Sequence, residues 1–211
     1  MILFVTKAEP NLAAYESPHL GRLVQPRHYP NLPATVAAGR PWAADNDAFN
    51  GFNRQRYEQM LAELPRHPGC TFVTAPDVVA DAVATLALAK TWIPELQSRG
   101  LPIAFVAQDG AKPSTLPWSD IDALFVGGNT DYKLGPDAAE LAREAKRRNL
   151  WVHMGRVNSR KRIRYAHSIG CDSIDGTSFS MFSNTHIPWA LALLAELDSM
   201  SQPELPFGTL P

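Results

Sequence analysis

From residue 71 onward the chain repeats one unit: a short, almost wholly apolar run, a polar residue or glycine, then a helical segment. The apolar runs are residues 71–75, 102–107, 121–126, 150–154 and 171–174. Strands apolar on both faces belong in a parallel sheet covered by helices, and their alternation with helices specifies βαβ units. The helical stretches are residues 78–97, stopped by Gly100; 136–148, opened by Pro136; 158–168, stopped by Gly170; and 187–197.

The first third is less regular. Residues 2–5 predict a strand, and residues 21–24 and 42–44 are short extended pieces. Pro10, Pro18, Pro26, Pro30, Pro33 and Pro41 argue against helix through most of residues 9–41. In residues 49–64, Phe52, Tyr57, Met60, Leu61 and Leu64 fall roughly on one helical face. With the early candidates there are about eight strands, which fits a compact (β/α)8 barrel near the lower size limit of about 200 residues. A doubly wound open sheet is the alternative, though no GxGxxG follows any strand. The expectation is one domain over residues 1–211, with a proline-rich N-terminal part and a short tail from residue 201.

Composition limits the partners. Lys+Arg number 20 and Asp+Glu 21, so a nucleic-acid partner would need a local basic patch. Cys70 and Cys171 form no CxxC pair, which excludes a cysteine-rich zinc site, and no histidine pair has metal spacing. No metal or cofactor is expected. Neither a signal peptide nor a run near the ~20 apolar residues of a membrane span is present, so a soluble cytoplasmic protein is expected.

The strand ends carry the functional signal. They read Asp45, Asp77, Gln108, Gly127-Gly128, Met154-Gly155 and Asp175. In a barrel these C-terminal ends converge on one mouth. Each alone is also an ordinary turn or loop residue. Asp175, between Ile174 and Gly176, is on this basis a helix cap, a loop solvator or a catalytic group.

Asp45-Asn46-Asp47-Ala48-Phe49-Asn50, Asp77 beside Pro76, Val106-Ala107-Gln108-Asp109-Gly110, Gly127-Gly128, His153-Met154-Gly155-Arg156-Val157 and Gly170-Cys171-Asp172-Ser173-Ile174-Asp175 follow one another between residues 42 and 177. In content and order they resemble the tRNA-guanine transglycosylases, and more closely the phage and bacterial deazapurine DNA modification proteins related to them. The resemblance implies a pentosyltransferase on a (β/α)8 barrel. It implies Asp175 as nucleophile, Asp45 as general acid/base and Phe49 stacking on the base. Asp77, or else Asp81, would read the purine, with Gln108, Gly127, Gly128 and Met154 completing the base site. Three departures stand out: the zinc subdomain is absent, residues 178–186 contain no arginine, and Asn46-Asp47-Ala48 replaces Ser-Gly-Gly. The first two remove parts that hold tRNA and favour DNA as partner. For a phage-encoded protein the location would be the host cytoplasm.

The implied chemistry is exchange of guanine for a free 7-deazapurine of the preQ0 type through an aspartyl-glycosyl intermediate. Arg156, Arg160, Lys161, Arg162 and Arg164 lie beside the nucleophile strand, which favours phosphate contact over a merely solvated helix start. His153 reads as a satisfied core histidine. Two alternatives remain: a glycosylase on the same fold that excises the base with water, and a non-catalytic nucleobase- or nucleic-acid-binding module.

Overall fold

The computed structural model describes residues 1–7 and 9–201. From residue 202 on, the expected tail lies outside the described residues. Among the described residues eight strands form a closed, all-parallel barrel in sequence order. They are Ile2–Val5 (β1), Leu20–Val24 (β2), Trp42–Ala44 (β3), Cys70–Thr74 (β4), Ile103–Ala107 (β5), Ala123–Val126 (β6), Trp151–Met154 (β7) and Ser173–Asp175 (β8). β8 pairs with β1, with Phe4 opposite Asp175. That closure rules out the doubly wound sheet.

The helices are Leu32–Ala37 (α1), Arg54–Glu63 (α2), Ala82–Ser98 (α3), Thr130–Lys133 (α4), Pro136–Arg147 (α5), Arg160–Ser168 (α6), Thr177–Met181 (α7) and Ser183–Ser201 (α8). Several boundaries differ from expectation, and capping explains them. The proline-rich segment does contain a helix, α1, because Pro33 sits in the first turn, where its missing N–H has no intrahelical partner to lose. The stretch 49–64 splits into a single 3-10 turn, Ala48–Asn50, and α2, whose start is fixed by Asn53 accepting from the Arg56 N–H. α3 begins four residues late because Asp81 caps it by accepting from the Ala84 N–H. Ser159 caps α6 in the same way.

Side-chain alternation divides the core in two. Phe4, Leu23, Ala43, Phe72, Ala104 and Ala123 form one buried cluster, with Phe125 and Trp151 packed against it. These residues share the inward parity of their strands, so they fill the barrel. A larger apolar cluster, including Leu3, Val24, Val73, Phe105, Val126 and Met154, lies on the outward parity beneath the helices. Buried Arg22 belongs to that outer side, where its guanidinium donates to the Asn31 carbonyl and Thr35 Oγ1, both at 2.7 Å, and so ties α1 to β2. No helix among the described residues is long and apolar enough to cross a membrane.

Candidate active site

Inward parity continued past the strand ends brings Asp45, Gln108, Gly127, Gly155 and Asp175 to the mouth of the barrel. With Asp77, Phe49, Gly128 and Arg156 they line one cavity of about 330 Å³, large enough for a purine-sized ligand.

Asp45 follows β3. Gln25 Nε2 donates to its Oδ2 at 3.0 Å. Burial pushes its carboxyl up to about 7, and the charges of Asp77, Asp175 and Asp47 push the same way, against the Gln25 hydrogen bond. Asp45 therefore holds a proton to near neutrality. Asp47, in the left-handed region at φ 63°, faces the rim and pairs with Arg27 at 2.8 Å.

Asp77 is buried in the turn after β4. It accepts from Asn46 Nδ2 at 2.8 Å on one oxygen and from Gln108 Nε2 at 2.6 Å on the other. Burial raises its pKa, opposed by those two hydrogen bonds. Gln108 Oε1 accepts from the Ala80 N–H at 2.9 Å, which fixes the amide so that Nε2 lies on the Asp77 side. A carboxyl and an amide donor thus sit side by side on one wall, a match for the N–H and O6 groups of a guanine edge. Asp81, the other candidate for this role, caps α3 and does not line the cavity.

Gly127 and Gly128 form the floor on the β6 side. A methyl at Gly127 would lie 2.9 Å from Val106 Cγ1 and 3.0 Å from Gln108 Nε2, so only glycine leaves the base wall intact. The Gly127 N–H is committed to the Ala107 carbonyl at 2.9 Å, so Gly127 completes the base site by leaving space and not as a donor.

Asp175 ends β8. Its Oδ2 lies 3.0 Å from His153 Nε2, and its Oδ1 accepts from the Arg156 N–H at 3.1 Å. Arg156 adopts φ 58°, sends its guanidinium to the Gly128 carbonyl at 2.5 Å, and covers the Phe49 ring at 4.4 Å from its centroid. Phe49, 63% exposed, is thereby held at the mouth.

Met154, expected in the base site, does not line the cavity, and four of the five basic residues lie outside it. Met154 is on the outward parity of β7 and is buried under the helices, because its neighbours His153 and Gly155 take the inward positions. Of the basic run, only Arg156 lines the cavity. Arg160 stacks over Trp189, Arg164 pairs with Glu196, and Lys161 is exposed on α6. Arg162 reaches Thr130 Oγ1 at 3.5 Å, near the rim.

Two buried groups join the site, one of them, Lys133, without any signal in the sequence. His153 is satisfied, as expected, but by Asp175 itself. Lys133, on α4, is 4% exposed, lines the cavity and donates to the Gly155 carbonyl at 2.9 Å. Burial, with the nearby Arg156 charge, lowers its pKa to about 8, opposed by Asp175. In sequence, Asp131-Tyr132-Lys133-Leu134 carries no sign of burial. Among the described residues no group of three or more His, Cys, Asp or Glu side chains is placed to hold a metal ion. No family model and no curated protein sequence compared with the chain matches it.

Proposed function

We propose that this barrel is a DNA-guanine transglycosylase-like enzyme, exchanging guanine in DNA for a free 7-deazapurine. The observation that carries the reading is the joint presence, in one purine-sized cavity, of a proton-holding Asp45, a hydrogen-bonded Asp175 and the Asp77–Gln108 wall. Its order of strand-end residues resembles that of the transglycosylase family, which supports the same assignment.

Guanine enters against the Asp77–Gln108 wall and stacks on Phe49. Asp77 accepts from N1–H and the 2-amino group, and Gln108 donates to O6. An Asp175 oxygen bonds to C1′ as the bond from C1′ to the base nitrogen breaks, and the departing electron pair takes the Asp45 proton. In the second half the incoming base gives a proton to Asp45, and its nitrogen bonds to C1′ as the C1′–oxygen bond breaks and that electron pair returns to Asp175. A target base in a duplex must leave the stack to reach this cavity.

Incubation with guanine-containing DNA and candidate 7-deazapurines, followed by nucleoside mass spectrometry, tests the reading. The expected product is a deazapurine nucleoside in the DNA with stoichiometric free guanine. Abasic sites in place of that nucleoside would assign base excision, and unchanged DNA would assign a binding module.

A further inference from the structure

Two chains of hydrogen bonds end on Asp175, one on each oxygen. The first runs through the barrel. Trp151 Nε1, which only donates, gives its hydrogen to Ser173 Oγ at 2.8 Å. Ser173 Oγ lies 2.9 Å from His153 Nδ1, and His153 Nε2 lies 3.0 Å from Asp175 Oδ2. A carboxylate only accepts, so Nε2 carries the hydrogen. Ser173 Oγ accepts from Trp151, and Nδ1, bare when Nε2 carries the hydrogen, is the acceptor for its own hydrogen. With hydrogen on both ring nitrogens, the Ser173 hydroxyl would have no acceptor among the described residues. The chain therefore has one direction, from Trp151 through Ser173 and His153 to Asp175. His153 and Ser173 are fully buried, and the Phe125 and Phe72 rings stand 4.4 and 5.2 Å from the imidazole.

The second chain crosses a single peptide group. Lys133 Nζ donates to the Gly155 carbonyl, and the N–H of that same peptide, on Arg156, donates to Asp175 Oδ1. An ammonium on the carbonyl polarises the peptide and strengthens its N–H as a donor. The charged groups near Asp175 are Lys133 on one side and Asp45 on the other.

We infer that His153 and Lys133 are positioning residues that hold both oxygens of Asp175 and stabilise the negative charge it regains when the glycosyl intermediate is released. The inference rests on Asp175 being the nucleophile. Such donors favour the free carboxylate over its ester, so their loss slows release more than formation. The covalent intermediate then accumulates.

The test uses the full chain with His153→Phe, His153→Gln and Lys133→Met. The protein–DNA adduct is followed on denaturing gels and chased with free deazapurine. Release in His153→Phe and Lys133→Met should slow by about tenfold or more, while His153→Gln, which keeps a donor, stays close to wild type. In parallel, nitrogen-15 NMR of wild-type His153 should report the Nε2–H tautomer, and Ser173→Ala should weaken that preference. Normal wild-type adduct with unchanged release in His153→Phe, or an Nδ1–H tautomer, overturns this inference alone. A wild type that forms no adduct overturns it together with the reading on which it rests.

Discussion

Burial, opposed by the Gln25 hydrogen bond and reinforced by the charges of Asp77, Asp175 and Asp47, holds the Asp45 proton up to about 7. Exchange should therefore slow as pH rises through about 7, where the acid for guanine departure is lost. Asp45→Asn should reduce exchange by about 10²–10⁴-fold. The same shift has a stability consequence. Its folded pKa lies above the unfolded value near 4, so the folded state holds the extra proton, and its contribution is lost as pH rises through about 7. Asp45→Asn should thus exceed wild type in stability at pH 8 by on the order of 2 kcal/mol, with little gain at pH 4. Urea denaturation at the two pH values checks this, and an equal difference at both would contradict it. On the base wall, Asp77→Asn turns one acceptor into a donor facing Gln108. Calorimetry with free guanine should show affinity reduced by about 10–100-fold. Retained affinity would remove Asp77 from base recognition.

At the scale of single strands, alternation decides which residue reaches the site. On β7 the inward parity carries His153 and Gly155, and a methyl at Gly155 would meet Phe125 Cε1 at 2.7 Å and crowd Asp175 Oδ2 at 3.4 Å. Gly155→Ala should cost about 1–3 kcal/mol and shift the urea midpoint downward, while an unshifted midpoint would show that Phe125 can move aside. The same alternation explains what could be read from sequence. Apolar runs ending in polar residues marked β4 through β8 and the strand-end residues Asp45, Asp77, Gln108 and Asp175. The resemblance assigns Met154 to the base site, but it does not carry the parity set by the neighbouring His153. Met154 alternates with inward Gly155, so parity alone would have sent it outward. Lys133 was not legible, because its burial depends on α4 folding back over β7, a contact with no local pattern. In the basic run, α6 starts at Arg160, so Arg160 and Arg164 lie against α8 while Arg156 alone turns into the cavity.

Across the whole molecule, barrel closure turns residues scattered from position 4 to position 177 into one lining. The overall charge of -1 supplies no general attraction for nucleic acid. Besides buried Lys133, the cations near the mouth are Arg27, Arg156 and Arg162. Three phosphate contacts on a single strand predict a shallow plot of log affinity against log salt, with slope about -2. A slope near -5 would mean that the outward face of α6 also holds DNA. The central claim concerns Asp175, and mass spectrometry of protein quenched during turnover on guanine-containing DNA tests it most directly. The peptide bearing Asp175 should carry the mass of a base-free deoxyribosyl-phosphate unit, absent from Asp175→Asn, whose exchange falls by at least about 10³-fold while its fold is kept. Exchange that proceeds with no adduct, or with the adduct on another residue, would contradict it.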